Sequence, residues 1–306
     1  MKTILLSSVS LAFLLTLIPP VSDAQWVQSK GLQNLSFTGF GSRGNRLIAG
    51  VPGWGGPSAD CVFISTNEGA SWTAIDTIPV NDHSPGIPLE VMTRVEIFAH
   101  GGNIFAGIGG GLSGSLYLST DSGISWTEPD SGFLENINRF AMIGGTLFAG
   151  TDDGVFLSTN NGTSWSPANT GMTHQVMGLA VIGTNLFAGT PLAGVFLSTD
   201  NGTSWSAVDT GLTNVHIYDL AVIGSTIFAG AFQFANDSTG GVFASTNNGA
   251  TWNISNTGLT THSINVITPV VRISMWQQTA AYMLQVTTVL AGLISRAEPR
   301  LDQWRY

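Results

Sequence analysis

Between Phe140 and Trp252 short apolar runs alternate with small polar breaks. One cycle reads "FAMIG", "TLFAG", "GVFLST" and "NNGTSW", and the next reads "LAVIG", "NLFAG", "GVFLST" and "DNGTSW". Each run has strand length, and Gly, Asn, Asp or Thr separates it from the next, which is turn chemistry. Four short strands per cycle are predicted. The cycle closes on a tryptophan at Trp72, Trp126, Trp165, Trp205 and Trp252, with spacings of 54, 39, 40 and 47 residues. Four antiparallel strands recurring about every 40 residues describe one blade of a β-propeller. The predicted fold class is therefore all-β, a propeller of four-stranded blades with five complete repeats and a broken sixth.

An eight-residue phrase joins the third strand of each cycle to the fourth: "STNEGASW", "STDSGISW", "STNNGTSW", "STDNGTSW" and "STNNGATW". At its third position stand Asn67, Asp121, Asn160, Asp200 and Asn247, whose side-chain oxygens suit main-chain N–H groups within a turn. At the fifth stand Gly69, Gly123, Gly162, Gly202 and Gly249, free to take positive φ. The closing tryptophan has an apolar face to bury and one N–H to satisfy. Spacing and content predict a self-fastening hairpin. The phrase resembles the Asp-box, or BNR, repeat S-x-D-x-G-x-x-W of sialidases, sortilin-like receptors and photosystem II assembly factor-like propellers. The resemblance spans nearly all of residues 31–258 and implies that the boxes are structural and lie away from any catalytic centre. Asn replaces Asp in three of five copies, so metal binding there is not expected, because Ca²⁺ wants several carboxylates.

Composition narrows the function classes. The chain is 43% hydrophobic and only 9% charged, with 38 glycines, which argues against a helical bundle. The formal net charge is −9, and between Ala24 and Thr268 the only basic residues are Lys30, Arg43, Arg46, Arg94 and Arg139. No basic patch for nucleic acid exists there. Residues 1–24 read as a signal peptide: Lys2, an apolar stretch from Ile4 to Ile18, Pro19 and Pro20, then Ser22 and Ala24 before Gln25. An uncleaved anchor is the alternative. The expected location is secreted, extracellular or periplasmic, with no membrane insertion beyond this segment. The single cysteine, Cys61, cannot form an intrachain disulfide and reads as a small buried residue.

The propeller pattern is expected over 25–267. "SINVI" at Ser263 opens a sixth unit, and residues 268–306 then match nothing upstream and contain no Asn. Codons for this tail, read from each third base into the next two bases, permit Asn-Leu-Tyr-Val-Ala-Thr beneath Arg272–Gln278. They also permit Ala-Ser-Ser-Asn-Asn-Gly-Val-Ser-Trp beneath Met283–Gly292. A one-base frameshift near Thr268 is the expectation. A C-terminal membrane segment, Thr279–Ile294, is the alternative; its 16 residues fall short of the roughly 20 needed to span.

In a propeller the strand 3–4 turns share one face, and the 2–3 loops and blade connections share the other. The second face is where this sequence varies, and loops on a rigid scaffold are where binding residues usually lie. Candidate binding residues there are Trp54, Phe232, Phe234 and Asp237, with Arg139 and Asp219 near the mouth of the central channel. Arg139, Gly178, Asp219 and Asn265 are expected just before successive inner strands, with Arg139 and Asp219 pairing. Asp60, Glu90, Asp152 and Asp153 are further carboxylates on this face. The sialidase resemblance would require converging arginines, a Tyr nucleophile and an Arg-Ile-Pro motif. No such motif occurs, and before the tail only Tyr117 and Tyr218 exist. His83, His100, His174, His216 and His262 show no metal-ligand spacing. The expected function is a secreted, noncatalytic propeller that binds protein or glycan, with no metal, no cofactor and no nucleic-acid partner. Its oligomeric state is open. The alternative is an extracellular glycoside hydrolase of sialidase-like fold.

Overall fold

The computed structural model describes residues 13–15, 26–28, 39–43, 46–50, 62–67, 69–74, 94–109, 114–129, 135–233, 239–257, 259, 263–273 and 280–287. Cys61, Trp54, Phe234 and Asp237 lie outside them, as do Asp60, Glu90, His83 and His262. The described residues are strands and turns without a helix, so no helix is long and apolar enough to cross a membrane. Phe13–Leu15 pairs with Trp26–Gln28, on either side of the cleavage point expected before Gln25.

Each cycle folds as an antiparallel sheet whose strands pair in chain order. One sheet comprises Ile137–Ile143, Thr146–Thr151, Gly154–Ser158 and Ser166–Pro167. The next comprises Gly178–Ile182, Asn185–Thr190, Gly194–Ser198 and Ser206–Ala207. A third comprises Ile217–Ile223, Thr226–Ala231, Gly241–Ser245 and Asn253–Ile254. The first cycle gives the same four-stranded order from Gly39–Arg43 to Thr73–Ala74.

The second cycle differs. Arg94–His100, Asn103–Gly109 and Ser115–Ser119 form three strands, and the fourth shrinks to one bridge between Leu118 and Thr127. The cause is Pro129. Three residues after the tryptophan, the other sheets close the ladder with a main-chain N–H: Ala168 to Val155 O at 2.8 Å, Val208 to Val195 O at 2.8 Å, and Ser255 to Val242 O at 2.7 Å. Proline at that position has no N–H to give.

The first strand of each sheet lies against the first strand of the next, so the sheets succeed one another as blades. The core is consequently divided into layers between neighbours. One layer holds Phe148, Val155, Met172, Val176, Leu179, Leu186 and Trp205; the next holds Phe187, Val195, Ile217, Leu220, Ile227 and Trp252. The glycine of each "FAG" run makes the close approach possible. A Cβ on Gly150 would lie 2.7 Å from Val176 Cγ1, one on Gly189 2.8 Å from Ile217 Cγ2, and one on Gly230 2.7 Å from Ile264 Cγ2. Beyond the fifth sheet, the backbone of Val266–Ile273 pairs with that of Ala280–Thr287.

Glycine inside a strand ordinarily costs stability relative to alanine. At Gly189 the sign reverses. Gly189→Ala is expected to destabilise by about 1–3 kcal/mol through overpacking, read as a lower urea midpoint at unchanged m-value. A neutral or stabilising result would show that the two sheets do not meet there.

Candidate functional site

The eight-residue turns cover one end of the sheets, and their hydrogen bonds close on themselves. The first-position serine is buried in all five copies, at 1% exposure each for Ser65, Ser119, Ser158, Ser198 and Ser245. Its hydroxyl donates to the third-position oxygen, as Ser198 Oγ does to Asp200 Oδ1 at 2.8 Å. It also accepts the fifth-position N–H, as from Gly202 at 2.8 Å. The third-position oxygen then accepts the seventh-position N–H, at 2.9 Å for Ser204.

Asp and Asn are exchangeable here for a visible reason. Asp200 Oδ2 accepts from the Ser204 hydroxyl at 2.6 Å, whereas Asn160 Nδ2 donates to the Ser164 hydroxyl at 2.9 Å. The hydroxyl rotates and serves either partner. The Ser125 hydroxyl and then its N–H hold Asp121 at about 2, well below the usual carboxylate value. Ser204 does the same for Asp200, again to about 2.

The positive φ expected of the fifth-position glycine is present, from 79° at Gly162 to 84° at Gly69 and Gly123. The fourth position is left-handed as well, at Ser122, Asn161, Asn201 and Asn248. That was not read from the sequence, although asparagine's tolerance of this region signals it. The tryptophans also do more than fasten their own turn. Trp165 Nε1 donates to Gly162 O in its own hairpin at 3.1 Å. Trp205 Nε1 instead reaches Ala168 O, and Trp252 Nε1 reaches Val208 O, both at 2.7 Å in the preceding sheet. Their main-chain N–H groups bond Thr170 O and Thr210 O at 3.0 and 2.9 Å. The turns of Trp205 and Trp252 are thus stitches between sheets, whereas Trp126 Nε1 is buried without a partner.

The opposite end carries the varied loops. At its centre Arg139 pairs with Asp219 and, at 3.4 Å, with Glu96. Burial opposes the arginine's charge, but the two carboxylates outweigh it and hold the guanidinium protonated well above its ordinary range. Asp219 is fully buried and also accepts the N–H groups of Leu220 and Ile267, both at 2.9 Å. Arg139 belongs to one sheet and Asp219 to the next but one; Gly178 lies between them, where a Cβ would sit 2.9 Å from Asp219 Cα. Arg139, Gly178 and Asp219 lie inside their strands rather than before them, because a bulge precedes Arg139 and Asp219. Asn265 does precede its strand. Glu96, 43 positions from Arg139, was missed although it holds the same place in its repeat as Arg139, Gly178 and Asp219, opposite the glycine of the second strand.

Asp152, one of the loop-face carboxylates, is caged by amides: Asn136 Nδ2 and Asn138 Nδ2 at 2.9 Å and Gln175 Nε2 at 2.6 Å. Beside it, burial first and then Asp153 and Asp152 raise the carboxyl of Glu135 above its ordinary value. One loop over, Leu192 is 74% exposed and Val215 37%. They stand next to each other because Gly194 N donates to Val215 O at 3.0 Å and the His216 ring contacts Pro191 O. Phe232 is fixed from two sides, by its N–H on His216 O at 2.9 Å and its carbonyl on Asn214 Nδ2 at 3.0 Å. Its ring lies 5.4 Å from that of Tyr218. Of the expected aromatics, Phe232 thus joins a preformed apolar ledge. Among the described residues no group of three or more His, Cys, Asp and Glu is placed to hold a metal ion.

Solved structures share this architecture. YCF48 bound to D1 peptide superposes with a TM-score of 0.59 at 17% identity, over 86% of this chain and 82% of that one. YCF48 from Cyanidioschyzon merolae gives 0.55 at 14% identity, over 87% and 89%. The GH74 enzyme of Niastella koreensis gives 0.50 at 18% identity, over 83% of this chain but 37% of the enzyme. The fold is a β-propeller. At these identities the likeness extends to the fold alone. No protein-family profile and no curated relative matches the chain.

Asp121 and Asp200 have folded pKa values below their unfolded ones, so their contribution is present above about pH 4 and is lost as pH falls through about 2. Asn67, Asn160 and Asn247 cannot titrate. The Asp121→Asn, Asp200→Asn double variant keeps the turn acceptor, and its thermal midpoint is expected to fall less than the parent's between pH 4 and pH 2. Parallel curves would detach the carboxylates from acid sensitivity.

Proposed function

We propose that this chain is an exported, noncatalytic propeller whose loop face docks a segment of a partner protein. The observation that carries the reading is the ledge of Leu192, Val215, Phe232 and Tyr218. Leu192 and Val215 are exposed there and Phe232 and Tyr218 are half-buried, on loops that hydrogen bonds already hold in place. Preorganisation of that kind lowers the ordering cost of association. A propeller of the same fold is known with a peptide bound, which supports a peptide or protein ligand in preference to a glycan. The engaged state of the neighbouring carboxylates points the same way: Asp219 and Glu96 are committed to Arg139, and Asp152 to three amides.

A hydrolase is the second reading, and one observation favours it. Glu135, with a raised pKa beside Asp152 and Asp153, has the environment of a proton donor next to charged carboxylates. A panel of fluorogenic glycosides separates the two. Turnover that Glu135→Gln abolishes would replace the binding reading with the enzymatic one.

For the binding face, peptides selected from a random display library on the full chain are expected to lose about tenfold or more in affinity, roughly 1.4 kcal/mol, with Leu192→Asp plus Val215→Asp. The control pair Ile124→Asp plus Ile254→Asp alters apolar residues that are equally exposed, at 62% and 59%. Equal losses from both pairs would place the ligand elsewhere. For export, N-terminal sequencing of the protein recovered outside the cell should begin at Gln25; a chain retaining Met1 would make residues 1–24 an anchor.

A further inference from the structure

We propose that the reading frame of this chain breaks at Val271, and that the native continuation is a sixth sheet of the same kind written in the adjoining frame. The structure supplies the register. Val176 and Leu179 pack over Gly150, Ile217 and Leu220 over Gly189, and Ile264 and Ile267 over Gly230. Ile264 N bonds Ala231 O at 3.1 Å as Val176 N bonds Thr151 O at 2.8 Å. Ile267 is therefore the counterpart of Leu179 and Leu220, and the chain is still in register at that point.

Four residues beyond this anchor every described unit turns on a left-handed glycine: Gly101 at φ 58° after Ile97, Gly144 at 59° after Phe140, Gly183 at 63° after Leu179 and Gly224 at 61° after Leu220. The same step from Ile267 reaches Val271. No turn occurs there; the strand Val266–Ile273 runs through it, with Val271 paired to Tyr282. A GGT glycine codon that loses one G leaves GT and borrows the next base, which is a valine codon.

The count then fits without adjustment. With one base restored at Val271, five codons separate Ile267 from the triplet formed by the third base of Arg272 and the first two of Ile273, which can spell Asn. Asn185 is likewise the sixth residue after Leu179. From there to Gly292 the adjoining frame permits Asn-Leu-Tyr-Val-Ala-Thr-Asp-Gly-Gly-Val-Tyr-Ala-Ser-Ser-Asn-Asn-Gly-Val-Ser-Trp. The Val-Ala pair is forced by the codons for Met275, Trp276 and Gln277. This string aligns end to end with Thr146–Trp165, "TLFAGTDDGVFLSTNNGTSW", and its tryptophan falls 40 residues after Trp252, the spacing from Trp165 to Trp205.

The fifth sheet bears the mark of the missing neighbour. In earlier layers the turn of the following sheet covers the second-strand phenylalanine. Gly162 sits on Phe105, Gly202 on Phe148 and Gly249 on Phe187, and these rings are at most 1% exposed. Phe228 holds the same place in the fifth sheet and is only half-buried.

Sequencing the coding DNA across residues 260–306 tests the frame directly. Thr288 should end in G, Leu290 in A and Ala291 in T, which spells Gly, Ser and Trp in the adjoining frame. Any other base at Thr288 or Ala291 overturns the proposal. At the protein level, the chain as written is compared with one expressed after a single G is inserted at the Val271 codon. The restored chain gains a sheet and an interface and should melt about 5 °C or more above the other. An equal or lower midpoint also overturns it.

Discussion

Everything in this fold depends on how closely one sheet is allowed to approach the next. The approach is set where the fifth-position glycine of a turn meets the phenylalanine edge of the preceding sheet. A Cβ on Gly202 would lie 3.2 Å from Phe148 Cε1, and one on Gly162 3.1 Å from Phe105 Cε1. At that separation Trp205, three residues past Gly202, and Trp252, three past Gly249, place their indole N–H groups on the neighbour's backbone carbonyls. A larger residue would open the seam and leave those carbonyls, now dry, without a donor. The serine, the Asp or Asn, and the left-handed fourth residue exist to hold that glycine in position.

The two ends of the sheets then divide the work. At the turn end the first- and third-position side chains find their partners within their own hairpins, while Trp126 Nε1 is buried without a partner. At the loop end the charged groups pair with partners far apart in sequence, Arg139 with Glu96 and Asp219, and Asp152 with Asn136, Asn138 and Gln175, while Arg139 Nε and His174 Nδ1 are buried without a partner. Exposed apolar side chains stand at both ends, Leu192 and Val215 among the loops and Ile124 and Ile254 by the turns.

Local features were legible in the sequence and long-range ones were not. The period, the four strands per cycle and the left-handed glycine follow from residues adjacent in the chain, and the sheets of Ile137–Pro167 and Gly178–Ala207 match them strand for strand. The reach of Trp205 to Ala168, 37 residues back, left no trace in the phrase itself. Pro129 was visible, yet its effect depends on knowing that Ala168 and Val208 close a ladder at the same place. The Arg139–Asp219 pair was legible because both fall at one point of the repeat, and Glu96, which falls at that same point one repeat before Arg139, carried the same marker unread. Trp54, Phe234 and Asp237 lie outside the described residues, in stretches of sequence that the repeat does not share.

The stitches run in one direction only. Trp205 and Trp252 both bond backward, to the sheet made before them. On the ribosome, where chains emerge N-terminus first, a sheet is thus finished by the arrival of its successor. The sheets of Ile137–Pro167 and Gly178–Ala207 each wait, with one aromatic ring and two carbonyls uncovered, for about the time needed to synthesise 40 more residues. That stretch of the fold is a ratchet: Trp205 and Trp252 each lock the sheet behind them.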